Sequence, residues 1–228
     1  MVERGGGGGG ENGVAAPPVA DGAVPVAGVE DPRLQGISAA IRVVPHFPKP
    51  GIMFNDITTL LLRPKVFKDT VDILVERYRG MGISIVAGIE ARGFIFGPPV
   101  ALALGAKFVP LRKPKKLPGQ VISENYVLEY GTDCLEMHVG AVQPGEHALI
   151  IDDLVATGGH FAQQSGFWVL NPTIDSSCSS IDLLSCLSFF QRAGAEVDEC
   201  ACIIGLPKFK GRCKLNGKPV YILVECRQ

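Results

Sequence analysis

The sequence predicts an α/β protein whose mostly parallel sheet has about five strands flanked by helices. Three apolar runs support this prediction, and each ends in a polar turn: 83–89 before Glu90, 106–111 before Arg112 and 148–151 before Asp152. The apolar segment 94–104 between the first two has the composition of a buried helix. Strand, polar turn, helix and strand in this order are typical of a parallel sheet, in which ligands bind at the carboxyl ends of the strands. We therefore expect the functional residues in these polar turns.

The N-terminal segment, residues 1–29, is predicted to be a disordered tail, and residues 30–228 one folded domain. The tail consists largely of Gly, Ala, Pro and Val and contains six consecutive glycines. Such a composition buries too little apolar surface to offset the entropy lost on ordering. Asp31 followed by Pro32 then suits the cap and first turn of a helix, which we expect to continue through Val44 and to end at Pro45.

The remaining elements follow from similar patterns. Residues 33–60 are expected to form a small hood, with a loop at 46–51 where prolines and a glycine interrupt regular structure. A further helix is predicted at 64–79, and two further strands at 200–206 and 219–225. The polar stretch 112–131 and its neighbour 134–139 are expected to form a flexible loop with hairpin arms. A loop of that length inside a domain is usually functional.

Composition and charge exclude several classes of protein. The chain has 22 basic and 23 acidic residues and a net charge of −1, so it has no global positive field with which to collect nucleic acid. No apolar run is long enough for a membrane-spanning helix, and no secretory signal is expected in the first residues. The seven cysteines, an odd number, indicate reduced thiols in the cytoplasm, and the four scattered histidines do not have zinc-site spacing.

The segment 148–159 carries the most specific chemical signal. Its strand delivers the adjacent carboxylates Asp152 and Asp153, and the small-residue turn Ala156-Thr157-Gly158-Gly159 follows. Backbone amides in such a turn bind a phosphate, aided by the dipole of a helix that begins there. Two acids in front of a phosphate site suit a ligand that also carries ribose hydroxyls and Mg²⁺. The segment matches neither the P-loop nor the dinucleotide fingerprint, so triphosphate and dinucleotide ligands are disfavoured.

Basic residues near two other strand ends are candidate anion ligands. Arg92 lies between small residues just past a strand, where a guanidinium grips phosphate oxygens bidentately. The basic run 112–116 would form a mobile cationic lid over pyrophosphate. Each also has a plainer interpretation as a solvated surface residue, and Phe54 is either a base-stacking ring or an anchor to the core.

Several motifs resemble those of the type I phosphoribosyltransferases, and in particular of their adenine-specific members of plant type. The motifs follow one another along the chain in the same order as in that family. The resemblance rests on 148–159 together with 47–57, 90–98, 112–119 and 126–131, and it resumes at 192–225. It implies transfer of a phosphoribosyl group from phosphoribosyl pyrophosphate (PRPP) to adenine, giving AMP and pyrophosphate. It also implies Mg²⁺ as cofactor, carried on PRPP rather than bound directly by the protein, and a homodimer as the assembly.

The resemblance further implies roles for individual residues. Asp152 and Asp153 would hold the ribose and stabilise positive charge on it, and Glu129 would handle a proton of the adenine ring. The other ligands of PRPP or AMP would be Arg92, Arg112, Lys113, Lys116, Tyr130, Ala156, Thr157, Gly158, Gly159 and His160. The residues over adenine would be Ile52, Met53, Phe54 and Asn55.

One segment departs from the family pattern. His160 stands where the family has threonine after the two glycines, and the segment 160–191 before Arg192 is much longer than the family's. Residues 181–190 are expected to supply a substitute helix, because apolar residues recur there every three positions. We expect this atypical insertion to weaken phosphate binding more than it disturbs folding.

Three alternatives stay open on the sequence alone. The chain could transfer the phosphoribosyl group to another purine or pyrimidine base, which an assay of base consumption would show. The altered stretch after Gly159 favours a catalytically impaired protein that still binds PRPP or AMP, detectable as AMP binding without turnover. A chain that folds poorly would be exposed by a circular dichroism melt.

Overall fold

The computed structural model describes residues 31–47, 50–51, 53–128, 131–155, 162–164, 167–169, 180–205, 213–215 and 217–225. The predicted tail, 1–29, lies outside these residues, and the described part of the chain belongs to one unit, Asp31–Gln228. The helices are α1 (Pro32–Ala40), α2 (Thr58–Leu61), α3 (Pro64–Tyr78), α4 (Gly93–Leu104) and α5 (Ser180–Arg192). The strands are β1 (Arg42–Pro45), β2 (Met53–Asp56), β3 (Ile85–Ile89), β4 (Lys107–Leu111), β5 (Val121–Leu128), β6 (Gly131–His138), β7 (His147–Val155), β8 (Ala162–Gln164), β9 (Phe167–Val169), β10 (Glu196–Gly205), β11 (Cys213–Leu215) and β12 (Lys218–Glu225).

A six-stranded sheet with the order β11-β12-β10-β7-β3-β4 forms the centre of this unit. The five strands from β12 to β4 are parallel, and the short edge strand β11 is antiparallel to β12. The predicted α/β fold with a mostly parallel sheet is therefore confirmed. No helix in the described part of the chain is long and apolar enough to cross a membrane.

Both faces of the sheet are buried, as the nearly continuous apolar runs of its strands require. Neighbouring residues of a strand point to opposite faces. Leu149 packs on one face in a cluster with Phe96 of α4, whereas Ile150 packs on the other with Phe190 of α5 and Met137 of the hairpin β5–β6. The helices and the hairpin therefore cover the sheet and leave its carboxyl edge for the loops.

The N-terminal helix is shorter than predicted. Asp31 caps it as expected, since its side chain accepts a hydrogen bond of 2.9 Å from the backbone N of Arg33. The helix ends at Ala40, however, and Arg42–Pro45 form β1, which pairs antiparallel with β2. The prediction that the helix continues through Val44 is wrong, because the β-branched residues at 41, 43 and 44 favour a strand. The helices α1 and α2 contribute Ile37 and Leu60 to the core cluster beneath α4, and the hood predicted for residues 33–60 stays a prediction.

The other predicted elements are present, with ends that differ by a few residues. The polar stretch after β4 contains the hairpin β5–β6, and the substitute helix predicted at 181–190 is α5. Of the α5 side chains that the structure describes, five are buried, namely Leu183, Cys186, Leu187, Phe189 and Phe190. All of them except Phe189 recur at helical spacing. This apolar face joins the core, so α5 is a structural part of the domain.

The chain reverses its direction of travel across the sheet between β3 and β7. It passes from β3 through α4 to β4 at the edge, and it then returns to place β7 on the other side of β3. At such a reversal the loops after the two strands diverge and leave a crevice, where open α/β sheets bind ligands. The residues at the carboxyl ends of β3 and β7 are therefore the first candidates for the site.

Gly93 allows α4 to approach the sheet closely at this crevice. A Cβ at this position would lie 2.5 Å from the carbonyl oxygen of Ile151 in β7. Because Ile151 directly precedes Asp152, the contact sets the separation between the start of α4 and the carboxylate pair.

Replacing Gly93 with alanine should destabilise the protein by about 1–3 kcal/mol, the usual cost of overpacking. Gly36→Ala is the matched control, because Gly36 lies in α1 and a Cβ there would meet nothing within 4 Å. That change should leave the free energy of unfolding unchanged or raise it by about 0.5–1 kcal/mol. Chemical denaturation measures both values. An unfolding free energy for Gly93→Ala equal to that of the wild type would contradict the close approach.

Candidate active site

Asp152 and Asp153 lie inside β7, between β3 and β10. The prediction that this strand ends at residue 151 is wrong, because β10 stays paired with β7 as far as Val155. On the other side, pairing with β3 stops at Ile151, so the crevice begins beside the two acids. Asp152 is only 4% exposed and Asp153 only 3%. Carboxyl groups so deeply buried need partners that neutralise or hydrogen-bond them.

Arg92 neutralises Asp153, and we call Arg92, Asp152 and Asp153 the carboxylate cluster. The Arg92 Nε lies 2.8 Å from Oδ2 of Asp153, and the backbone N of Asp153 donates a hydrogen bond of 2.8 Å to Oδ1 of Asp152. Burial raises the pKa of the Asp153 carboxyl, while Arg92 and the hydrogen bond with Asp152 oppose that rise. Since Arg92 immediately precedes α4, the ion pair connects the turn after β3 with the end of β7.

Glu90, the first residue after β3, gathers the basic loop that follows β4. Its Oε2 accepts hydrogen bonds from Nε of Arg112 and from the backbone N of Lys113, both at 3.1 Å, and its Oε1 accepts one from Nζ of Lys116. Burial alone would raise the pKa of Glu90, but the hydrogen bonds from Lys116, Lys113 and Arg112 outweigh burial and lower that pKa. We call these four residues the cation cluster.

The same loop is fixed on its other side by the hairpin β5–β6. Arg112 and Glu136 exchange two backbone hydrogen bonds, of 3.0 and 2.7 Å. The backbone N of Lys115 also donates a hydrogen bond of 3.0 Å to the Glu136 carboxylate. Main-chain bonds as well as charges therefore hold residues 112–116 between the end of β3 and the hairpin.

Three of the four residues expected over a base, Met53, Phe54 and Asn55, lie on β2, in a separate two-stranded sheet. Met53 is 45% exposed, and the ring of Phe54 meets that of Phe47 edge-on, with 5.1 Å between the centroids. Asn55 is buried, and its Oδ1 has no hydrogen-bond partner within the described residues. A buried acceptor without a partner is unfavourable, so this oxygen is available to a ligand that carries an N–H donor.

The remaining predicted ligands lie outside the described residues, and their roles stay predictions. They are Ile52, Glu129, Tyr130, Ala156, Thr157, Gly158, Gly159 and His160. Within the described ranges, no group of three His, Cys, Asp or Glu side chains is placed to hold a metal ion. Six of the predicted residues therefore lie in two clusters. Arg92, Asp152 and Asp153 meet at the end of β7, and Arg112, Lys113 and Lys116 meet around Glu90 at the end of β3.

The sequence did not identify Glu90, a residue of this site, or Glu136, a residue of the neighbouring hairpin that supports the basic loop. A signal for Glu90 was present, because it directly follows an apolar strand and stands two residues before Arg92. The basic residues were all expected to pair with a ligand, so no carboxylate of the chain was expected to pair with them. Glu136 lies in the middle of a hairpin strand, and only the fold shows that it reaches the basic loop.

The chain is similar in sequence to known adenine phosphoribosyltransferases. The profile of the phosphoribosyl transferase domain family matches residues 57–160, a range that contains both clusters. Adenine phosphoribosyltransferase 2 of Arabidopsis thaliana is 66% identical over 198 residues, which are 87% of this chain and 92% of that protein. Adenine phosphoribosyltransferase 1, chloroplastic, of the same plant is 58% identical over 197 residues, which are 86% of this chain and 72% of that protein.

Solved structures share the fold. The adenine phosphoribosyltransferase of Thermoanaerobacter pseudethanolicus matches with a TM-score of 0.69 and 38% identity, covering 84% of this chain and 99% of that one. The Saccharomyces cerevisiae adenine phosphoribosyltransferase, in complex with adenine and an imino-altritol bisphosphate, matches with a TM-score of 0.66 and 29% identity. That match covers 84% of this chain and 98% of the yeast one.

Removing Arg92 should leave a buried acid without its cation. In Arg92→Met we expect the pKa of Asp153 to rise further, because burial then acts without the opposing guanidinium. The folded variant would hold a proton that the unfolded chain releases from about pH 4 upward, so its stability relative to wild type should fall as the pH rises towards neutrality.

Melting temperatures of variant and wild type at about pH 4.5 and pH 7.5 measure this dependence. Arg42→Met is the control, because it removes a guanidinium that is 63% exposed from Asp56, and solvent screens that pair. Its pH dependence should be smaller. A difference between Arg92→Met and wild type that is the same at both pH values would contradict the proposed coupling.

Proposed function

The chain belongs to the adenine phosphoribosyltransferase family, and we propose on that basis that it transfers the 5-phosphoribosyl group of PRPP to N9 of adenine. The products are AMP and pyrophosphate, and the enzyme is a pentosyltransferase of adenine salvage. One observation carries this assignment: the carboxylate cluster and the cation cluster lie at the carboxyl ends of neighbouring parallel strands. The first offers acceptors to ribose hydroxyls, and the second offers cations to pyrophosphate.

The carboxylate cluster is proposed to stabilise the reacting ribose. As pyrophosphate departs, positive charge develops on the ribose ring, and fixed negative groups nearby lower the energy of that state. Asp152 and Asp153 are held by the sheet and by Arg92, so they need little reorganisation when the charge develops. Their burial strengthens the interaction, because water screens it less.

The leaving pyrophosphate is proposed to bind Arg92, Arg112, Lys113 and Lys116. Mg²⁺ would be carried on the phosphate oxygens of PRPP, which it prefers, and the carboxylates of Asp152 and Asp153 at this edge of the sheet suit its charge. When bound with PRPP, the ion neutralises charge on the leaving group. The chain's own cations hold the phosphates in place.

The phosphate turn and the base pocket complete the proposal. Residues 156–159 would bind the 5-phosphate through backbone amides, with His160 beside them, and Glu129 and Tyr130 would close over the ribose and base. Adenine would lie against Ile52, Met53 and Phe54. The buried, unpartnered Oδ1 of Asn55 supports this position, because adenine carries N–H donors.

The direct test is conversion of radiolabelled adenine to AMP by the full chain, with and without PRPP. Adenine should be consumed in preference to other purines and pyrimidines, and only when PRPP is present. Turnover of another base would support the related transferases considered above. AMP binding without turnover would identify a catalytically impaired protein.

The proposed assembly is a homodimer that covers α4. All 12 residues of α4 are apolar. Phe96 and Val100 are buried on one side, whereas Leu102 on another is 84% exposed. A helix that is apolar all round is typical of a buried position, so a second copy is the proposed cover.

Leu102→Glu should therefore convert a dimer into a monomer in sedimentation velocity experiments. Leu62→Glu is the matched control, because Leu62 is 80% exposed but lies outside α4. It should leave the dimer intact. A monomeric wild type, or a dimeric Leu102→Glu variant, would contradict the assignment of this helix to the interface.

The proposed compartment is the cytoplasm. The odd number of cysteines, seven, suits a reducing environment. Because one relative is chloroplastic, imaging of a fluorescent fusion decides between cytoplasm and plastid.

Asp152→Asn should slow AMP formation by about 100- to 1,000-fold, the range for loss of one charge-stabilising group. The amide keeps an acceptor for the backbone N of Asp153, so the melting temperature should change little. Asp198→Asn is the control, because it removes one charge from the adjacent strand, where Asp198 contacts His147 at the opposite end of β7. Near-normal turnover in Asp152→Asn would show that Asp152 does not stabilise the ribose.

The insertion 160–191 is proposed to impair catalysis more than folding. Its last part, α5, is anchored, since Leu183 and Phe190 are fully buried and Ser188 Oγ donates a hydrogen bond of 3.2 Å to Glu124 of β5. The family profile stops at residue 160, where the insertion begins. The entropy of closing a loop grows slowly with length, so the core tolerates the extra residues. A displacement of about 1 Å at the phosphate, by contrast, can cost about 100-fold in rate.

Deleting residues 160–180 and restoring threonine before a short helix should raise PRPP affinity and turnover by at least about tenfold. The melting temperature should change little. Deletion of residues 1–29 is the control, because it removes the predicted tail and should leave both quantities unchanged. If the full chain already matches the 160–180 deletion variant, the insertion is a benign surface loop.

A further inference from the structure

Glu90 occupies a position in the cation cluster that a ligand anion would otherwise take. Its two carboxylate oxygens accept hydrogen bonds from Arg112, from the backbone of Lys113 and from Lys116. All three residues were assigned to pyrophosphate. The Glu90 side chain is only 11% exposed, whereas those of Arg112 and Lys116 are 33% and 46% exposed, so both cations remain within reach of a ligand.

The contacts divide into those that a ligand can replace and those that it leaves in place. Side-chain donors of Arg112 and Lys116 can turn from a carboxylate to a phosphate without moving the main chain. The backbone bonds between Arg112 and Glu136, and that from Lys115 to Glu136, keep the loop at the strand end meanwhile. Loss of the Glu90 bonds therefore leaves the loop attached to the hairpin.

Charge determines which anion holds the cations. Pyrophosphate carries several negative charges and more acceptor oxygens than one carboxylate, so it takes the side chains of Arg112 and Lys116 when it binds. Glu90 then lies beside the bound anion as a like charge with fewer partners. Like charges brought together at a partly buried site oppose binding.

We propose that Glu90 is a positioning residue that gathers the cations before PRPP binds and competes with pyrophosphate for them, thereby promoting product release. This inference rests on the proposed function and adds a role for a residue that does not itself contact the reacting atoms. Asp153 holds Arg92 in a similar way. The single cation of the carboxylate cluster and the cations of the cation cluster therefore each have a carboxylate of the chain as partner.

The test compares pyrophosphate affinity, with Mg²⁺ present, in the wild type, Glu90→Gln and Glu136→Gln by calorimetry. Glu90→Gln removes the competing charge and keeps the size of the side chain, so pyrophosphate should bind about tenfold more tightly. The KM for PRPP should fall, and kcat should fall with it because release is slower. Glu136→Gln makes the same charge change in β6, beside the loop, where Glu136 accepts a hydrogen bond from the loop backbone at Lys115. The affinity of this variant should stay near wild type.

Each other outcome overturns the inference. A purely structural role predicts weaker binding of both PRPP and pyrophosphate in Glu90→Gln, and a general charge effect predicts equal tightening in Glu136→Gln. Glu90→Asp keeps the charge on a shorter side chain and should tighten pyrophosphate binding less than Glu90→Gln, which separates competition from misfolding. AMP formation by the wild type tests the proposed function separately, so an active wild type with unchanged Glu90→Gln affinity overturns this inference alone.

Discussion

Buried carboxylates must be paired, and this constraint arranges the carboxyl edge of the sheet. Asp153 and Glu90 lie at the ends of neighbouring strands. Asp153 is held by a cation from the turn after β3, and Glu90 is held by cations from the loop after β4. Arg92 reaches from the start of α4 to β7, and Arg112 reaches from the end of β4 to β3. The acids therefore connect three strands and one helix through charge, and they keep the cations at the position where a phosphate ligand is needed.

The fold supplies the backbone positions on which this arrangement depends. Parallel strands place their carboxyl ends at one edge, and the reversal between β3 and β7 opens a crevice there. Continued pairing with β10 holds Asp152 and Asp153 in the strand, while the end of pairing with β3 leaves them beside the crevice. Gly93 brings the start of α4 close enough for Arg92 to reach Asp153. Removal of any one of these features would separate the charges.

Much of the fold and part of the site could be predicted from the sequence. Buried parallel strands read as continuous apolar runs, so the strands were found with small errors at their ends. The end of α1 was missed because the apolar residues after Ala40 fit either a helix or a strand, and the pairing of β1 with β2 decides between them. The pairing of Glu90 with Arg112 joins residues 22 positions apart and depends on which strands are neighbours, so it is visible only in the fold.

Ribose is proposed to bind at the carboxylate cluster, and pyrophosphate is proposed to take over the cation cluster. A crystal structure of the full chain with PRPP and Mg²⁺ measures both at once. Ribose hydroxyls should lie about 3 Å from the carboxylates of Asp152 and Asp153, and the side chains of Arg112 and Lys116 should have turned from Glu90 to the phosphates. A ribose bound elsewhere, or PRPP bound while Arg112 and Lys116 still contact Glu90, would contradict these proposed positions.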